Sequence, residues 1–170
     1  MNNEEYFGLP HEMDDRLIKE IRNNHVIYCP VDCNCAWLAT DKNGYLGMFL
    51  NLTWGPIPIS ALTKDVLPVT QVEDYLRIQC KQLPAVSAVK FSGGIFNPYD
   101  WEIASRGIFI YDFIAADDRY ELASYPVSPL TNQSLGGELL KLAEAVVINS
   151  SLFTSKEKFS PQDFFECFEP

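Results

Sequence analysis

The expected fold is a single α+β domain over residues 1–170, with a mainly antiparallel central sheet built from hairpins and helices packed against it. Three observations carry that expectation. The chain has 170 residues, enough for one substantial core. Apolar runs alternate about Asn-Gly and Pro-rich turn signals, which suits hairpins. Stripes at helical spacing lie between these runs.

The first element expected is a helix over residues 12–23, where Leu17, Ile18 and Ile21 form one stripe and acids lead. His25 to Cys29 reads as a strand. A hairpin follows, with Cys35 to Thr40 and Tyr45 to Leu52 flanking Asp41-Lys42-Asn43-Gly44. A two-residue Asn43-Gly44 turn would set Ala39 opposite Met48, Trp37 opposite Leu50 and Cys35 opposite Leu52. Leu38 and Phe49 then face the other side, so the hairpin is expected to be covered on both faces. Gly55-Pro56-Ile57-Pro58 ends the unit as an extended loop or sheet edge.

Thr70 to Leu83 reads as a second helix, with Thr70 and Glu73 placed for a capping box. Its stripe is Val72, Leu76, Gln79, Cys80 and Leu83, and Pro84 stops it. Val86 to Phe91 is a short strand or helix, and Gly93-Gly94 and Asn97-Pro98 mark a loop. Arg106 to Ile114 is a strand with apolar residues on both faces. Ala115 to Arg119 turns it into Tyr120 to Tyr125, and Pro126 and Pro129 end that hairpin. Leu139 to Ile148 is a helix on a Leu139, Leu142, Ala143 and Val146 stripe. Ser160-Pro161 starts a terminal helix whose Phe164, Phe165 and Phe168 either dock on the core, the favoured reading, or form a partner surface.

Charge narrows the function. The chain carries 13 Lys+Arg against 23 Asp+Glu, a formal net charge of −10. Phosphate recognition needs a positive footprint, so neither nucleic acid nor an anionic membrane is an expected partner. A basic protein is favoured, because complementary fields speed encounter. The N-terminal MNNEEYFGLP has acids and Pro10 where a signal peptide needs a basic segment and an apolar run, and no stretch reaches membrane-span length. A cytosolic location is expected. Five cysteines, an odd number, then read as thiols rather than a disulfide scaffold.

No catalytic, cofactor or metal motif emerges, so no cofactor is expected. Cys29, Cys33 and Cys35 with His25 offer sulfur and nitrogen ligands, but the Cys-x₂-Cys spacing of zinc sites is missing. Gly136-Gly137 lacks the Lys-Ser/Thr of a phosphate loop. His11 and His25 form no recognisable Ser-His-acid order. The acids Asp100, Glu102, Asp112, Asp117, Asp118 and Glu121 are crowded against only Arg106 and Arg119. Two such carboxylates could act as an acid/base pair, or the group could make a negative face. Trp54 beside Gly55-Pro56, and Trp101 between Asp100 and Glu102, are aromatic anchors of the kind interfaces use, with Tyr99 and Tyr125 as weaker ones.

The tracts WLATDKNGYLGMFL, WGPIP, RGIFIYDF and YELASYPVSPL resemble small bacterial domains of uncharacterised type. They are hairpin and loop signatures and transfer no binding residue. The acidic composition is similar to that of bacterial immunity proteins, which neutralise toxins.

The leading expectation is therefore a non-enzymatic, acidic protein-interaction module, of immunity or regulatory type, that occludes a basic protein surface. Trp54, Tyr99, Asp100, Trp101, Glu102, Asp117 and Asp118 are its candidate contact residues. The alternatives are a hydrolase using dispersed Asp and Glu residues, which needs two carboxylates converging in a cleft, and a structural or oligomerising protein.

Overall fold

The computed structural model describes residues 26–28, 34–51, 55–62, 65–83, 87–92 and 97–168. The expected helix over 12–23, His25, Cys29, Cys33 and Trp54 lie outside the described residues. Strands run over Val26–Tyr28 (β1), Cys35–Asp41 (β2), Leu46–Asn51 (β3), Pro56–Pro58 (β4), Val89–Phe91 (β5), Phe109–Ile114 (β6), Arg119–Pro126 (β7), Val147–Ile148 (β8) and Lys158–Phe159 (β9). Helices run over Val69–Gln79 (α1), Pro98–Ser105 (α2) and Gly137–Ala145 (α3).

The architecture is α+β, but the sheet is mixed rather than mainly antiparallel. Seven strands share it in the order β5-β7-β6-β3-β2-β8, with β9 also paired to β7. β3 pairs with β6, and β2 with β8, in parallel. Parallel neighbours need long crossovers. Here the chain between β3 and β6 carries α1 and α2, and α3 leads into β8. β1 and β4 form a separate antiparallel pair.

The β2–β3 register differs by one residue from the expected one. Trp37 lies opposite Phe49, Leu38 opposite Met48 and Ala39 opposite Gly47. Asp41 is the reason. Its Oδ1 accepts from the Asn43 N–H at 2.9 Å and the Tyr45 N–H at 3.0 Å. Gly44 takes φ +78°, and its N–H donates to Asp41 O at 2.8 Å. This is a three-residue loop with glycine in the left-handed position, not a two-residue turn. Asp41 Oδ2 also accepts from the Phe153 N–H at 3.0 Å, tying the turn to the far end of the chain.

Both faces of the hairpin are buried. One face carries Ala36, Leu38, Leu46, Met48, Leu50, Ile108 and Ile110 under α1, α2 and α3. The other carries Trp37, Phe49, Phe109, Tyr111 and Tyr120, covered by Phe153, Phe159 and Phe164. Much of the chain's aromatic content thus lies in one layer. Phe164 is buried there; nothing is described of the Phe165 and Phe168 side chains.

Helix boundaries also shift. Pro68 occupies the N-cap position of α1 without a side-chain hydrogen bond, so Thr70 falls inside the first turn. Glu73 pairs with Arg77 instead of closing a capping box. α3 stops at Ala145, and Val147–Ile148 extends beside Thr40–Asp41 as β8. Val146 and Ile148 join the aromatic core, an outcome that favours an extended path for these β-branched residues. No helix among the described residues is long and apolar enough to cross a membrane.

Candidate functional site

Four of the expected contact residues, Tyr99, Asp100, Trp101 and Glu102, fall on one helix that the loop reading of Asn97-Pro98 passes over. The Asn97 side chain accepts from the Tyr99 N–H at 3.0 Å, and Pro98 opens the helix. Asparagine before proline is a helix start for a physical reason: it satisfies an orphan N–H where proline has none to lose. The helix ends at Gly107, whose φ of +96° reverses the chain into β6. A Cβ at Gly107 would stand 2.5 Å from Leu130 N, so glycine is required there.

That reversal lays α2 back over β6 and β7. Asp100, Ile103 and Ala104, at helical spacing, form its buried side. Tyr99 and Trp101 are 54% and 42% exposed, whereas Glu102 is half-buried and close enough to Cys80 for its charge to push that thiol up. Asp100 is only 8% exposed, which corrects its expected role as a surface acid. It lies on the sheet-facing stripe one turn before Ile103.

Asp112 alternates with Ile110 along β6, so it points into the helix layer near Asp100. Burial pushes the Asp100 carboxyl up to about 6, and the charges of Asp112 and Glu73 push the same way. Arg77 and the Asn97 side chain oppose them. Asp112 is raised too, by burial first and Glu73 second. Among the described residues, Asp100 Oδ1 is buried without a hydrogen-bond partner. Arg77 is committed elsewhere: it pairs with Glu73, approaches Asp74 at 3.6 Å, and its Cζ lies 4.3 Å from the Tyr99 ring centroid.

Asp117 and Asp118 occupy the β6–β7 turn, on a different element from α2. Arg119 donates to Asp117 at 3.1 Å and to Glu121 at 2.7 Å, and Lys158 lies 3.4 Å from Glu121. The Arg119 hydrogen bond is the main reason the Glu121 carboxyl is lowered. Part of the acidic run is therefore neutralised internally. Glu102, by contrast, makes no ion pair among the described residues.

Two grooves lie among the described residues near these side chains. One, of about 300 Å³, brings Asp112 and its cross-strand partner Glu121 together with Ser92, Ile114 and Lys158. The other, of about 370 Å³, lies on the aromatic face between Tyr45, Lys90, Phe109, Tyr125 and Lys156. Tyr125, a weaker sequence candidate, packs against that aromatic core.

The described residues hold no group of three or more His, Cys, Asp and Glu side chains placed to bind a metal ion. Cys35 is buried in β2, away from a surface loop. Sequence reasoning counted Asp112 in the acidic run but not as a partner of Asp100, and it missed Glu73 and Arg77 as members of the site. The usable signal was Asp112 itself, an acid inside a strand that is apolar on both faces.

Comparison with protein-family models, curated proteins and solved structures returns no match to this chain.

Proposed function

We propose that this protein is a non-enzymatic, cytosolic interaction module that uses α2 to occlude a basic surface on a partner protein, in the manner of an immunity or regulatory protein. The observation that carries the reading is the pair of exposed rings, Tyr99 and Trp101, on one eight-residue helix beside Glu102, which makes no ion pair among the described residues. Exposed tyrosine and tryptophan are typical energetic anchors of protein interfaces. The net charge of −10 selects a basic partner and predicts a salt-dependent association rate. Asp118 at the β6–β7 turn adds to that field, whereas Asp117 is held by Arg119.

The test is affinity capture followed by binding measurements with the captured, purified partner. Trp101→Ala and Tyr99→Ala should each weaken binding by roughly tenfold or more, about 1.4 kcal/mol. Unchanged affinity for both correctly folded variants removes α2 as the contact surface.

One observation favours a second reading, a hydrolase. Asp112 and Glu121 are cross-strand partners in one groove, with the first carboxyl raised and the second lowered. Opposed shifts of neighbouring carboxyls are the pattern of a protonated general acid beside an ionised carboxylate. Turnover in a broad substrate screen that disappears in Asp112→Asn would put this reading first.

A further inference from the structure

Asp100 poses a physical problem that the docking surface does not explain. A carboxyl on the inner stripe of an amphipathic helix would normally be replaced by an apolar residue or paired with a cation. Here it is more than nine-tenths buried, and Oδ1 has no hydrogen-bond partner among the described residues. The groups that face it are mostly acidic. From β6 comes Asp112, and from α1 come Glu73 and Arg77. Glu121 of β7 stands beside Asp112, already held by Arg119 and Lys158. Buried Ser124 of β7 is neutral, and its Oγ is also without a partner. Glu102 of α2 is half-buried on the side of Cys80, and Arg106, just past the helix, donates from Nη1 to Leu83 O at 3.1 Å. Arg77, the described cation whose charge acts on Asp100, is drawn to Glu73 and Asp74 and lies over Tyr99.

We propose that α2 is a pH-sensitive latch: it seats on the sheet while Asp100 and Asp112 hold at least one proton between them, and loosens when both are ionised. The functional weight of the latch rests on the reading that Tyr99 and Trp101 are the contact residues, since both rings ride on the element that moves. Two neighbouring carboxyls in a site of low dielectric cannot both ionise cheaply. With the Asp100 carboxyl held at about 6, that cost falls within the mildly acidic to neutral range. Opening α2 returns Asp100 to water and relieves the repulsion. The docking surface is therefore firmly ordered at mildly acidic pH and freer to remodel at neutral pH.

Native-state hydrogen exchange over residues 97–107 of the full chain, without any partner, tests the latch. After correction for intrinsic exchange, protection should fall about tenfold or more between about pH 4.5 and pH 7.5. Asp100→Asn should keep high protection throughout. Should that variant fail to fold, Asp112→Asn serves instead, moving the midpoint of the wild-type transition to lower pH. A flat wild-type profile, an Asp100→Asn profile with the wild-type slope, or an unmoved midpoint in Asp112→Asn overturns the latch. None of these results touches the docking reading, which stands or falls on partner affinity in the Tyr99 and Trp101 variants.

Discussion

Trp37 stacks on Phe49 across the β2–β3 hairpin, with ring centroids 4.1 Å apart and planes within 6°. The two residues are direct cross-strand partners, and Phe49 is likewise the partner of Tyr111 on β6, its ring 4.9 Å away. One rung of three strands therefore builds the base of the aromatic layer. Phe159 and Phe164 meet Phe49 edge-on at 5.5 and 5.6 Å. Trp37 Nε1 donates to Tyr120 Oη at 3.2 Å, and Tyr120 Oη donates to Pro56 O at 3.0 Å. The polar atoms of the layer are thereby satisfied inside it.

Phe49→Ala should be severely destabilising. The ring is fully buried and contacts Trp37, Tyr111, Tyr120, Phe153, Phe159 and Phe164. Equilibrium urea unfolding should show a loss of about 3–5 kcal/mol, the cost of a large-to-small change in a packed core. A loss below about 1 kcal/mol would contradict this packing.

Asp41→Ala should cost about 2–4 kcal/mol, because three backbone N–H groups, those of Asn43, Tyr45 and Phe153, lose their acceptor. Asp41→Asn keeps one acceptor oxygen and should recover part of that loss. Denaturant midpoints of the two variants, compared directly, check the order.

Asp100→Asn should stabilise the protein at neutral pH. The folded-state carboxyl sits above its unfolded value, so the folded chain binds the extra proton between about pH 4 and pH 6. Stability from this group is therefore lost as pH rises through that window and is level above it. The variant should match wild type near about pH 4 and exceed it by about 1–3 kcal/mol at about pH 7.5. Urea unfolding at the two pH values measures the difference.

Gly107→Ala should cost about 1–3 kcal/mol, since it combines a positive φ with a Cβ placed against Leu130. Because Gly107 sets the return of α2 over β6, exchange protection of 97–107 should fall with stability. Trp101→Ala, on the exposed flank, should move stability by under about 0.5 kcal/mol. Thermal melts of the two variants separate the structural residue from the surface one.

Much of the fold was legible locally. Val72 and Leu76 announced the buried stripe of α1 through their spacing, continued by Cys80 just past its end, and the β6–β7 hairpin declared itself through alternation and its polar turn. What escaped depends on distant partners. Sequence alone paired Trp37 with Leu50, because Asn43-Gly44 favours a two-residue turn in isolation. The Asp41 carboxylate selects the longer loop, and Phe153, more than a hundred residues away, helps hold it. The parallel pairings β3–β6 and β2–β8 join strands that no hairpin rule connects.

The candidate site divides along the same line. The chain's acidity and the rings at 99 and 101 are properties of the sequence, and so is the helix start at Asn97-Pro98 once it is read as a cap. That Asp100 turns inward beside Asp112 and Glu73, while Asp117 is neutralised by Arg119, was decided only by tertiary structure. Periodicity and capping act within a few residues of the backbone. The ionisation cost of a carboxyl depends on which charges and how much water surround it, and only the folded chain brings those neighbours together.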